Sequence, residues 1–266
     1  MRPAAQRLRK WLPEPVFRSV KAVDRAIPWD VMLRGDGLEC PCCGGRFRRF
    51  RSLHGRPSAM CPRCGALERH RVLWLYLRDR TDVFTKPLSL LHFAAEPGFE
   101  DRLRAMDNLD YASVDLYPKN AFQRRVDITD MPYENESWDV VMANHVFGEV
   151  PDDRAAMREV YRVLKPGGSL ISQTAVDPAL TETQEKSLSA QMAFLPKGGA
   201  QAVGANIRRY GTDYEQRLEA AGFDVECVPH IAALDEQTIE RLALREVGGE
   251  TKGNDIYIAR KGPRSA

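Results

Sequence analysis

The sequence predicts an α/β protein in which helices cover both faces of a mostly parallel sheet, preceded by a small cysteine-rich metal module. Two observations lead to this prediction. Segments of strand length alternate with helical segments from Lys86 onward, and two C-x-x-C pairs lie close together before them. Alternation of strand and helix at this pace is typical of a parallel sheet. A chain of 266 residues is long enough to bury a large core.

The first element with a clear pattern is the pair of C-x-x-C turns. Cys40-Pro-Cys-Cys43 and Cys61-Pro-Arg-Cys64 each direct two thiolates at one point, and residues 44–60 between them can close a hairpin. We therefore predict a zinc ribbon that holds a structural zinc ion. Its predicted ligands are Cys40, Cys43, Cys61 and Cys64. Four thiolates close such a site, so His70 is not expected to be a ligand.

Two other interpretations of the cysteines have less support. A disulfide pair needs an oxidising compartment, and the sequence shows no secretion signal. A thioredoxin-like redox motif occurs once beside a βαβ unit and not as a matched pair. Cys42 remains a candidate that exchanges with a neighbour as ligand, and Cys227 is expected to be an ordinary buried thiol.

The N-terminal part of the chain is strongly basic. Residues 1–80 contain 18 Lys and Arg against seven Asp and Glu, whereas the remaining residues contain 21 against 30. A basic module can bind RNA, an anionic glycan or a phospholipid surface, or dock on the acidic part of its own chain. Residues 1–30 have an interrupted amphipathic pattern that suits peripheral membrane contact and packing on the protein equally well. The aromatic-plus-basic signature of a known RNA-binding module is missing, so nucleic acid is an alternative partner and not the favoured one.

From Gly65 onward the sequence predicts a long helix and then alternating strands and helices. The predicted strands are Ser89–Ala94, Ala112–Leu116, Trp138–Ala143, Ser169–Gln173 and, as the closing antiparallel strands, Phe223–Val228 and Asp255–Ala259. The predicted helices are Glu100–Met106, Arg154–Leu164 and Asp213–Ala221. Lys165-Pro-Gly-Gly168 is expected to end the second of these helices before the fourth strand. Ligands of such doubly wound, Rossmann-like sheets bind at the carboxyl ends of the strands.

Motifs in the α/β part carry a family resemblance. Asp115 ends the second strand, Asp127-Ile-Thr-Asp-Met-Pro132 precedes the third, and Val163-Leu-Lys-Pro-Gly-Gly168 follows it. In these motifs the chain resembles class I S-adenosylmethionine-dependent methyltransferases. Over residues 39–261 it is similar to bacterial members of the type-11 group that carry an N-terminal zinc ribbon. The motifs behind this narrower resemblance are the ribbon, the Glu68-Arg-His-Arg71 helix, the His92-Phe-Ala-Ala-Glu96 loop, the segment from His145 to Asp153 and Arg208-x-Tyr-Gly211.

The resemblance implies a cofactor site at the strand ends. Asp115 would accept from the two ribose hydroxyls of S-adenosylmethionine, and Asp127 from the adenine amino group. The backbone N–H of Ile128 would donate to the adenine ring. Asn144 and His145 would lie near the sulfonium and the amino-acid end. Each position also has an ordinary structural interpretation, as a turn residue, a surface carboxylate or a helix cap.

The loop after the first strand departs from the family pattern. An acidic residue followed by three alternating glycines is common there, because the backbone must pass close to the cofactor. This chain instead reads His92-Phe-Ala-Ala-Glu-Pro-Gly98. Ala94 and Glu96 replace two glycines and Gly98 remains, and we keep all three as candidate cofactor-binding residues. Glu96 would either accept from the ammonium group of the amino-acid moiety or occupy its space.

His145 and Glu149 are the candidate catalytic bases. Methyl transfer is an in-line displacement from an activated sulfonium, so alignment supplies much of the rate and a base is needed only for a poorly acidic hydroxyl. Asn206, Arg208 and Tyr210 are the candidate substrate residues. Asn206 stands where relatives often have histidine, which weighs against a hydroxyl acceptor handled by that residue. Residues 181–204 lie where such enzymes insert a substrate-covering segment.

The expected organisation has five parts. They are a basic amphipathic helical segment at 1–38, the zinc ribbon at 39–66, a connecting helix at 67–86, the methyltransferase domain at 87–261 and a tail at 262–266. We expect a cytoplasmic enzyme that transfers a methyl group to a small molecule, sugar or glycolipid precursor. The alternatives are an RNA or protein methyltransferase that uses the basic region, and a non-catalytic scaffold or zinc-ribbon interaction protein. No apolar run approaches the roughly 18 residues of a membrane span.

Overall fold

The computed structural model describes residues 27–53, 55–96, 98–186, 207–245 and 255–263. The chain forms two compact units, which are described separately. Unit 1 comprises Met1–Leu75 and Ala233–Thr251, and unit 2 comprises Tyr76–Ala232 and Lys252–Ala266. The predictions for residues 1–26, for Asn206 and for most of the 181–204 segment lie outside the described residues. Among the helices that the structure describes, none has the length and apolar character needed to cross a membrane.

Unit 1 is built from two small hairpins and short helices. Its described elements are α1 (Trp29–Met32), β1 (Arg34–Cys40), β2 (Gly45–Phe47), β3 (Arg51–Leu53), β4 (Arg56–Met60), the first part of α2 (Glu68–Arg80) and α6 (Glu236–Arg241). β1 pairs with β2 and β3 with β4, both in antiparallel orientation. Gly44, in the turn that joins β1 to β2, has φ +63°, a conformation that favours glycine. Each hairpin therefore brings one C-x-x-C turn to an end of a strand.

Unit 1 also contains a segment from near the end of the chain. Residues 233–251 fall within the range expected for the methyltransferase domain, whereas the structure groups them with the ribbon. Helix α6 begins after Asp235, whose side chain accepts from the backbone N–H of Thr238 at 2.8 Å as an N-cap. Arg241 at the end of α6 pairs with Glu39 of β1 at 2.5 Å.

Unit 2 contains a seven-stranded sheet with the strand order β12-β13-β9-β8-β5-β6-β7. Its strands are β5 (Leu88–Phe93), β6 (Leu109–Asp115), β7 (Arg124–Arg125), β8 (Trp138–Ala143), β9 (Leu164–Gln173), β12 (Asp224–Val228) and β13 (Ile256–Arg260). The five strands β9, β8, β5, β6 and β7 each pair in parallel with the next strand in this order. β13 is antiparallel to both of its neighbours, β12 and β9. The predicted fold class, a Rossmann-like and mostly parallel sheet with an antiparallel closing strand, is confirmed.

The remaining elements of unit 2 are short helices and a small ribbon. They are α3 (Glu100–Arg104), a 3-10 turn (Phe147–Glu149), α4 (Asp153–Val163), β10 (Gln184–Glu185), β11 (Arg208–Arg209) and α5 (Tyr214–Glu219), with a second 3-10 turn at His230–Ala233. β10 and β11 pair with each other in antiparallel orientation. Helix α4 begins at Asp153, one residue earlier than predicted, because Asp152 caps it by accepting from the N–H of Ala155 at 2.8 Å.

The prediction for Lys165-Pro-Gly-Gly168 is wrong in one respect. These residues lie inside β9, which starts at Leu164 directly after α4. The register against β8 shifts between Trp138 and Val140, so the extra residues form an irregularity in the pairing. Gly167 has φ +80°, and a Cβ at Gly168 would lie 2.8 Å from the carbonyl oxygen of Asp139. Gly168 therefore permits a close approach of two strands, and Gly167 permits the positive φ of the irregularity.

One face of the sheet is packed with apolar side chains. Helix α4 buries Ala156, Met157, Val160 and Val163, and they join a cluster with strand residues such as Leu91, Phe93, Val141 and Leu170. Full burial of each larger side chain contributes roughly 1.5–3 kcal/mol. On the opposite face, His92 of β5 aligns with Ser113 of β6 and with Met142 of β8. This second face therefore carries buried polar side chains that lead toward the carboxyl ends of the strands.

Candidate metal centre and active site

The predicted zinc ligands of unit 1 converge on one point. The sulfur atoms of Cys40, Cys43, Cys61 and Cys64 all lie within 4.8 Å of one another. Cys40 Sγ is 3.6 Å from Cys64 Sγ, and Cys43 Sγ is 3.6 Å from Cys61 Sγ. A tetrahedral zinc ion with Zn–S bonds of about 2.3 Å requires sulfur–sulfur distances of about 3.8 Å. A disulfide would require about 2.05 Å. The arrangement therefore fits a four-thiolate zinc site, and the ligand assignment itself stays a prediction.

The neighbours of this cluster have other partners. Cys42 is buried, and its sulfur points to the carbonyl oxygen of His70 at 3.8 Å. The ring Nδ1 of His70 accepts from the backbone N–H of Leu67 at 3.2 Å. Within the described residues, the group that could hold a metal consists of the four predicted cysteines alone.

The four thiols strongly affect each other's protonation. The pKa of Cys43 is lowered, chiefly by hydrogen bonds from Cys40 and then from Cys61. The pKa of Cys64 is raised, chiefly because its hydrogen bond to Cys40 favours the protonated form. At these distances a negative charge on one sulfur atom therefore disfavours deprotonation of the others. A bound divalent cation would permit all four to be thiolates.

Asp115 lies at the end of β6, and its role at the ribose stays a prediction. It is 7% exposed, and its Oδ1 accepts from the backbone N–H of Tyr117 at 2.9 Å. Its buried Oδ2 accepts no hydrogen bond within the described residues, although Lys119 Nζ forms an ion pair with it at 3.0 Å. A buried carboxylate oxygen with remaining acceptor capacity fits a ribose diol, which has two hydroxyl donors.

The Asp127 loop lies next to Asp115. The N–H of Val126 donates to the carbonyl oxygen of Asp115 at 3.2 Å, so Asp127 and Ile128 follow close behind. Asp127 is exposed, and its Oδ1 accepts from the N–H and the hydroxyl of Thr129 at 2.9 and 2.7 Å. Ile128 is buried. The loop therefore has an exposed carboxylate, that of Asp127, next to a buried apolar side chain, that of Ile128. A carboxylate suits the polar edge of a planar ring such as adenine, and an apolar side chain suits its face.

The loop after β5 keeps the backbone conformation of a glycine at a position occupied by alanine. Ala94 has φ +50°, and Gly98 has φ +85°. The N–H of Ala94 donates to the carbonyl oxygen of Val114 at 2.8 Å, which holds this conformation. The left-handed region costs a residue with a Cβ roughly 1–2 kcal/mol. The glycine-like turn is thus formed despite the missing glycine.

Replacement of Ala94 by glycine should stabilise the protein by about 1 kcal/mol, because it removes this cost while the turn is kept. Urea-induced unfolding measures the change. The matched control is Ala95→Gly. Ala95 does not have a positive φ, so this substitution should lower the free energy of unfolding by about 0.5–1 kcal/mol. Equal destabilisation by both substitutions would contradict the account of this loop.

Glu96 is held in a buried hydrogen-bonded chain at the strand ends. It is 7% exposed, and its Oε1 accepts from the side-chain amide of Asn144 at 2.6 Å. Its Oε2 lies 2.7 Å from His92 Nε2. The other ring nitrogen of His92 lies 3.0 Å from the hydroxyl of Tyr111. Asn144 Oδ1 accepts from the backbone N–H of Gln173 at 2.8 Å. This series of hydrogen bonds therefore connects residues on or directly after the four neighbouring strands β6, β5, β8 and β9.

The two candidate bases lie just beyond this chain. His145 follows β8 directly, has φ +55° and donates its backbone N–H to the carbonyl oxygen of Gln173 at 2.7 Å. Its side chain is partly buried. Glu149 ends the 3-10 turn and is exposed. The side chain of His145 is thus less exposed to solvent than that of Glu149. The assignment of either residue as the catalytic base stays a prediction.

Arg208 is used inside the protein. It is 4% exposed, and its guanidinium donates to the carbonyl oxygens of Phe147 and Val150 at 2.6 Å and of Pro151 at 2.9 Å. It also donates to Glu185 at 2.9 Å. These bonds fix the segment that carries Glu149. These bonds use four of the five N–H donors of the guanidinium, and the predicted substrate role of Arg208 remains untested.

Tyr210, another predicted substrate residue, is also buried. Its hydroxyl donates to Asp153 Oδ2 at 2.9 Å, and Asp153 also pairs with Arg217 at 3.1 Å. Burial, and then the neighbouring Tyr214 and Asp153, raise the pKa of Tyr210 well above its usual range. The phenol is therefore neutral and serves as a donor. Asn206, the third predicted substrate residue, lies outside the described residues.

Sequence reasoning did not identify three members of the Glu96 chain. They are His92, which the sequence marks only as part of the loop motif, Tyr111, and Gln173, which the sequence marks only as the end of a strand. A signal was present for His92, because a histidine occupies the place of the family's acidic residue at the end of an apolar strand. No local signal marked Tyr111 or Gln173, since their contribution depends on strands that are distant in sequence.

Comparison with known protein families and curated proteins gives the following findings. Residues 101–172 match the family model described as a methyltransferase domain. Arsenite methyltransferase from Mus musculus is 30% identical over 119 residues, which are 45% of this chain and 28% of that protein. The chain thus spans little more than a quarter of the length of this curated relative.

Solved structures show similarity over most of the chain. The S-adenosylmethionine-dependent methyltransferase from Mesorhizobium loti has 16% identity and a TM-score of 0.48, over 71% of this chain and 97% of that one. The YcgJ protein from Bacillus subtilis has 12% identity and a TM-score of 0.48, over 73% of this chain and 100% of that one.

Proposed function

We propose that this chain, in which residues 101–172 match the family model described as a methyltransferase domain, transfers a methyl group from S-adenosylmethionine to a small molecule, sugar or glycolipid precursor. The observation that carries the proposal is the group of side chains at the carboxyl ends of β5, β6 and β8. Asp115, Glu96 and Asn144 are all buried there, close to the exposed carboxylate of Asp127. Strand ends are where ligands of such sheets bind.

Each residue has a defined task in this proposal. Asp115 binds the ribose hydroxyls, and Asp127 with the backbone of Ile128 orients the adenine. When bound, S-adenosylmethionine supplies a methyl group on a positively charged sulfur, which is already activated for in-line displacement. The protein therefore needs to align the acceptor and exclude water, and His145 is available to remove a proton from it.

The proposed domain organisation includes a structural role for zinc. Unit 1 has short hairpins that would be held by a zinc ion bound to Cys40, Cys43, Cys61 and Cys64. A four-thiolate zinc site leaves no open position for a reacting group. We therefore assign the chemistry to unit 2 and stability to the metal. A cytoplasmic location, where free thiols persist, is part of the same proposal.

A second candidate function is methylation of RNA. Residues 40–67 contain six arginines and no carboxylate, and Arg46, Arg48, Arg49 and Arg63 are exposed. Exposed guanidinium groups bind phosphates, and such binding weakens steeply as the salt concentration rises. This observation favours an anionic partner, but it does not place the partner at the methyl-transfer site.

A labelling experiment distinguishes these candidates. The zinc-loaded full chain is incubated with methyl-labelled S-adenosylmethionine and a cell extract, which is then separated into small molecules, lipids, RNA and protein. We expect label in the small-molecule or glycolipid fraction, and we expect its loss with Asp115→Ala. Label in RNA would establish the second candidate. Absence of label in every fraction, with cofactor binding intact, would support a non-catalytic scaffold.

A further inference from the structure

We propose that the surface around helix α1 of unit 1 docks on a bilayer that contains anionic phospholipids. The α1 surface consists of Val31, Met32, Arg34, Arg48, Arg49 and Arg51. Its aliphatic side chains would enter the interfacial region of the bilayer, and its arginines would bind headgroup phosphates. The inference goes beyond the proposed function and does not depend on methyl transfer.

Helix α1 presents two neighbouring aliphatic side chains to solvent. Val31 is 59% exposed and Met32 is 54% exposed, and in the described part of unit 1 they are the large apolar side chains with such exposure. Leu33, which follows them, is buried, so a different side chain anchors this segment in the unit. A single exposed apolar side chain needs no explanation, whereas adjacent ones rimmed by charged residues indicate an interaction site.

Two arginines contact helix α1 directly. Nη2 of Arg48 donates to the carbonyl oxygen of Met32 at 2.7 Å. The guanidinium of Arg51 lies over the ring of Trp29, at 4.7 Å from its centroid. Within the described residues, the bond to Met32 uses one of the five N–H donors of Arg48, so the other donors can bind a phosphate. Positive charge is therefore held at both ends of the short helix.

Two further arginines add charge beside the helix. Arg34 begins β1, two residues after Met32, and Arg49 directly follows Arg48. The backbone N–H of Arg48 donates to the carbonyl oxygen of Leu33 at 2.8 Å, which keeps the two segments side by side. Arg34 and Arg49 are exposed, and neither side chain has a hydrogen bond or ion pair among the residues that the structure describes.

The carboxylates that are close in sequence do not cancel this charge. Those of β1 are paired, Asp36 with Arg46 at 3.3 Å and Glu39 with Arg241 at 2.5 Å. Asp30, which is half-buried in α1, is the remaining carboxylate between residues 27 and 53. Four arginines of the α1 surface therefore stand against one carboxylate.

The combination of aliphatic side chains with arginines selects the partner. Single-stranded RNA is recognised by stacking on flat rings and by hydrogen bonds to base edges, and neither Val31 nor Met32 offers these contacts. A symmetric contact with a second copy of the chain would bring two groups of arginines together, which repel each other. An anionic bilayer offers an apolar layer directly beneath a layer of phosphates, which fits both parts of the α1 surface.

Co-sedimentation of the zinc-loaded full chain with vesicles tests the proposal. The vesicles contain phosphatidylcholine alone or with about one third phosphatidylglycerol. We expect partition to the anionic vesicles to be at least about tenfold stronger, because each arginine near such a surface contributes roughly fivefold. Arg34→Gln combined with Arg49→Gln should weaken this partition roughly ten- to thirtyfold. Val31→Ser combined with Met32→Ser should weaken it roughly tenfold or more, because the apolar contact is lost.

Phe122→Ser is the matched control, because Phe122 is 62% exposed but lies in unit 2. Its partition should equal that of the unaltered protein, and retained zinc shows that unit 1 of each variant is folded. Equal partition to both kinds of vesicle, absence of partition, or an unchanged Val31 and Met32 variant would refute the docking. Binding of poly(U) RNA without binding of vesicles would refute it in favour of the other class of partner. Vesicle binding without binding of S-adenosylhomocysteine would contradict the proposed function and leave this inference standing.

Discussion

Removal of a bound zinc ion should unfold unit 1. Its hairpins have strands of three to seven residues, and an isolated two-stranded hairpin is marginally stable in water. Binding of a structural zinc ion by four thiolates contributes about 10–16 kcal/mol, which is as large as the whole stability of a typical domain, about 5–15 kcal/mol. Substitution Cys61→Ser should have the same effect as a chelator, because it removes one ligand of the tetrahedron.

Hydrogen exchange of residues 34–66 measures this loss, together with the zinc content of the protein. We expect one zinc ion per chain, and rapid exchange throughout the hairpins after treatment with a chelator. Cys227→Ser is the matched control, because Cys227 lies in β12 of unit 2. This variant should retain both the zinc ion and the protection of the hairpins from hydrogen exchange. Unchanged protection of the hairpins after complete removal of the metal would contradict a structural zinc site.

Replacement of Arg71 by methionine should destabilise unit 1 by roughly 3–5 kcal/mol. Arg71 is 0% exposed and connects three segments of that unit. Its guanidinium donates to the carbonyl oxygens of Ala59 at 2.9 Å, of Ala66 at 2.8 Å and of Leu242 at 2.9 Å, and it also bonds that of Ala243. Methionine fills similar space but removes all of these donors, and of the four carbonyl oxygens that of Ala66 still accepts from the N–H of Cys61 at 2.9 Å.

The geometry of the guanidinium explains why lysine should not rescue this position. Arg71 uses all three of its nitrogen atoms in a planar fork and lies over the ring of Phe50, at 4.7 Å from its centroid. A single ammonium group cannot reach acceptors arranged in this way. Arg78→Met on the same helix is the control, because Arg78 is exposed and its loss should cost less than about 0.5 kcal/mol. Hydrogen exchange in β4 and α6 reports both changes, and a cost under about 1 kcal/mol for Arg71→Met would contradict this account.

The parts of the fold that depend on local patterns could be predicted from the sequence. The strands β5 and β8 are short apolar runs, and the four cysteines have the paired C-x-x-C spacing that is typical of a zinc ribbon. Helix α4 was predicted within one residue, because its apolar residues recur at helical spacing. Asp115 at the end of β6 was singled out from its motif alone.

The parts that depend on distant contacts could not be predicted. Nothing in the local sequence of residues 233–251 shows that Arg71 binds their backbone, so their place in unit 1 was missed. The same holds for the pairing of His92 with Glu96, since it requires the loop after β5 to fold back on its own strand. Lys165-Pro-Gly-Gly168 has the pattern of a helix stop, and only the neighbouring Asp139 shows why glycine is needed at position 168.

Binding of S-adenosylhomocysteine to the zinc-loaded full chain, measured by calorimetric titration, tests the central claim most directly. The matched variant is Asp115→Asn, which keeps an oxygen for the N–H of Tyr117 but loses the charged two-pronged acceptor. We predict micromolar binding to the unaltered protein and a loss of roughly a hundredfold in the variant. Absence of heat, together with an unchanged thermal unfolding temperature, would contradict a cofactor site at the carboxyl ends of β5, β6 and β8.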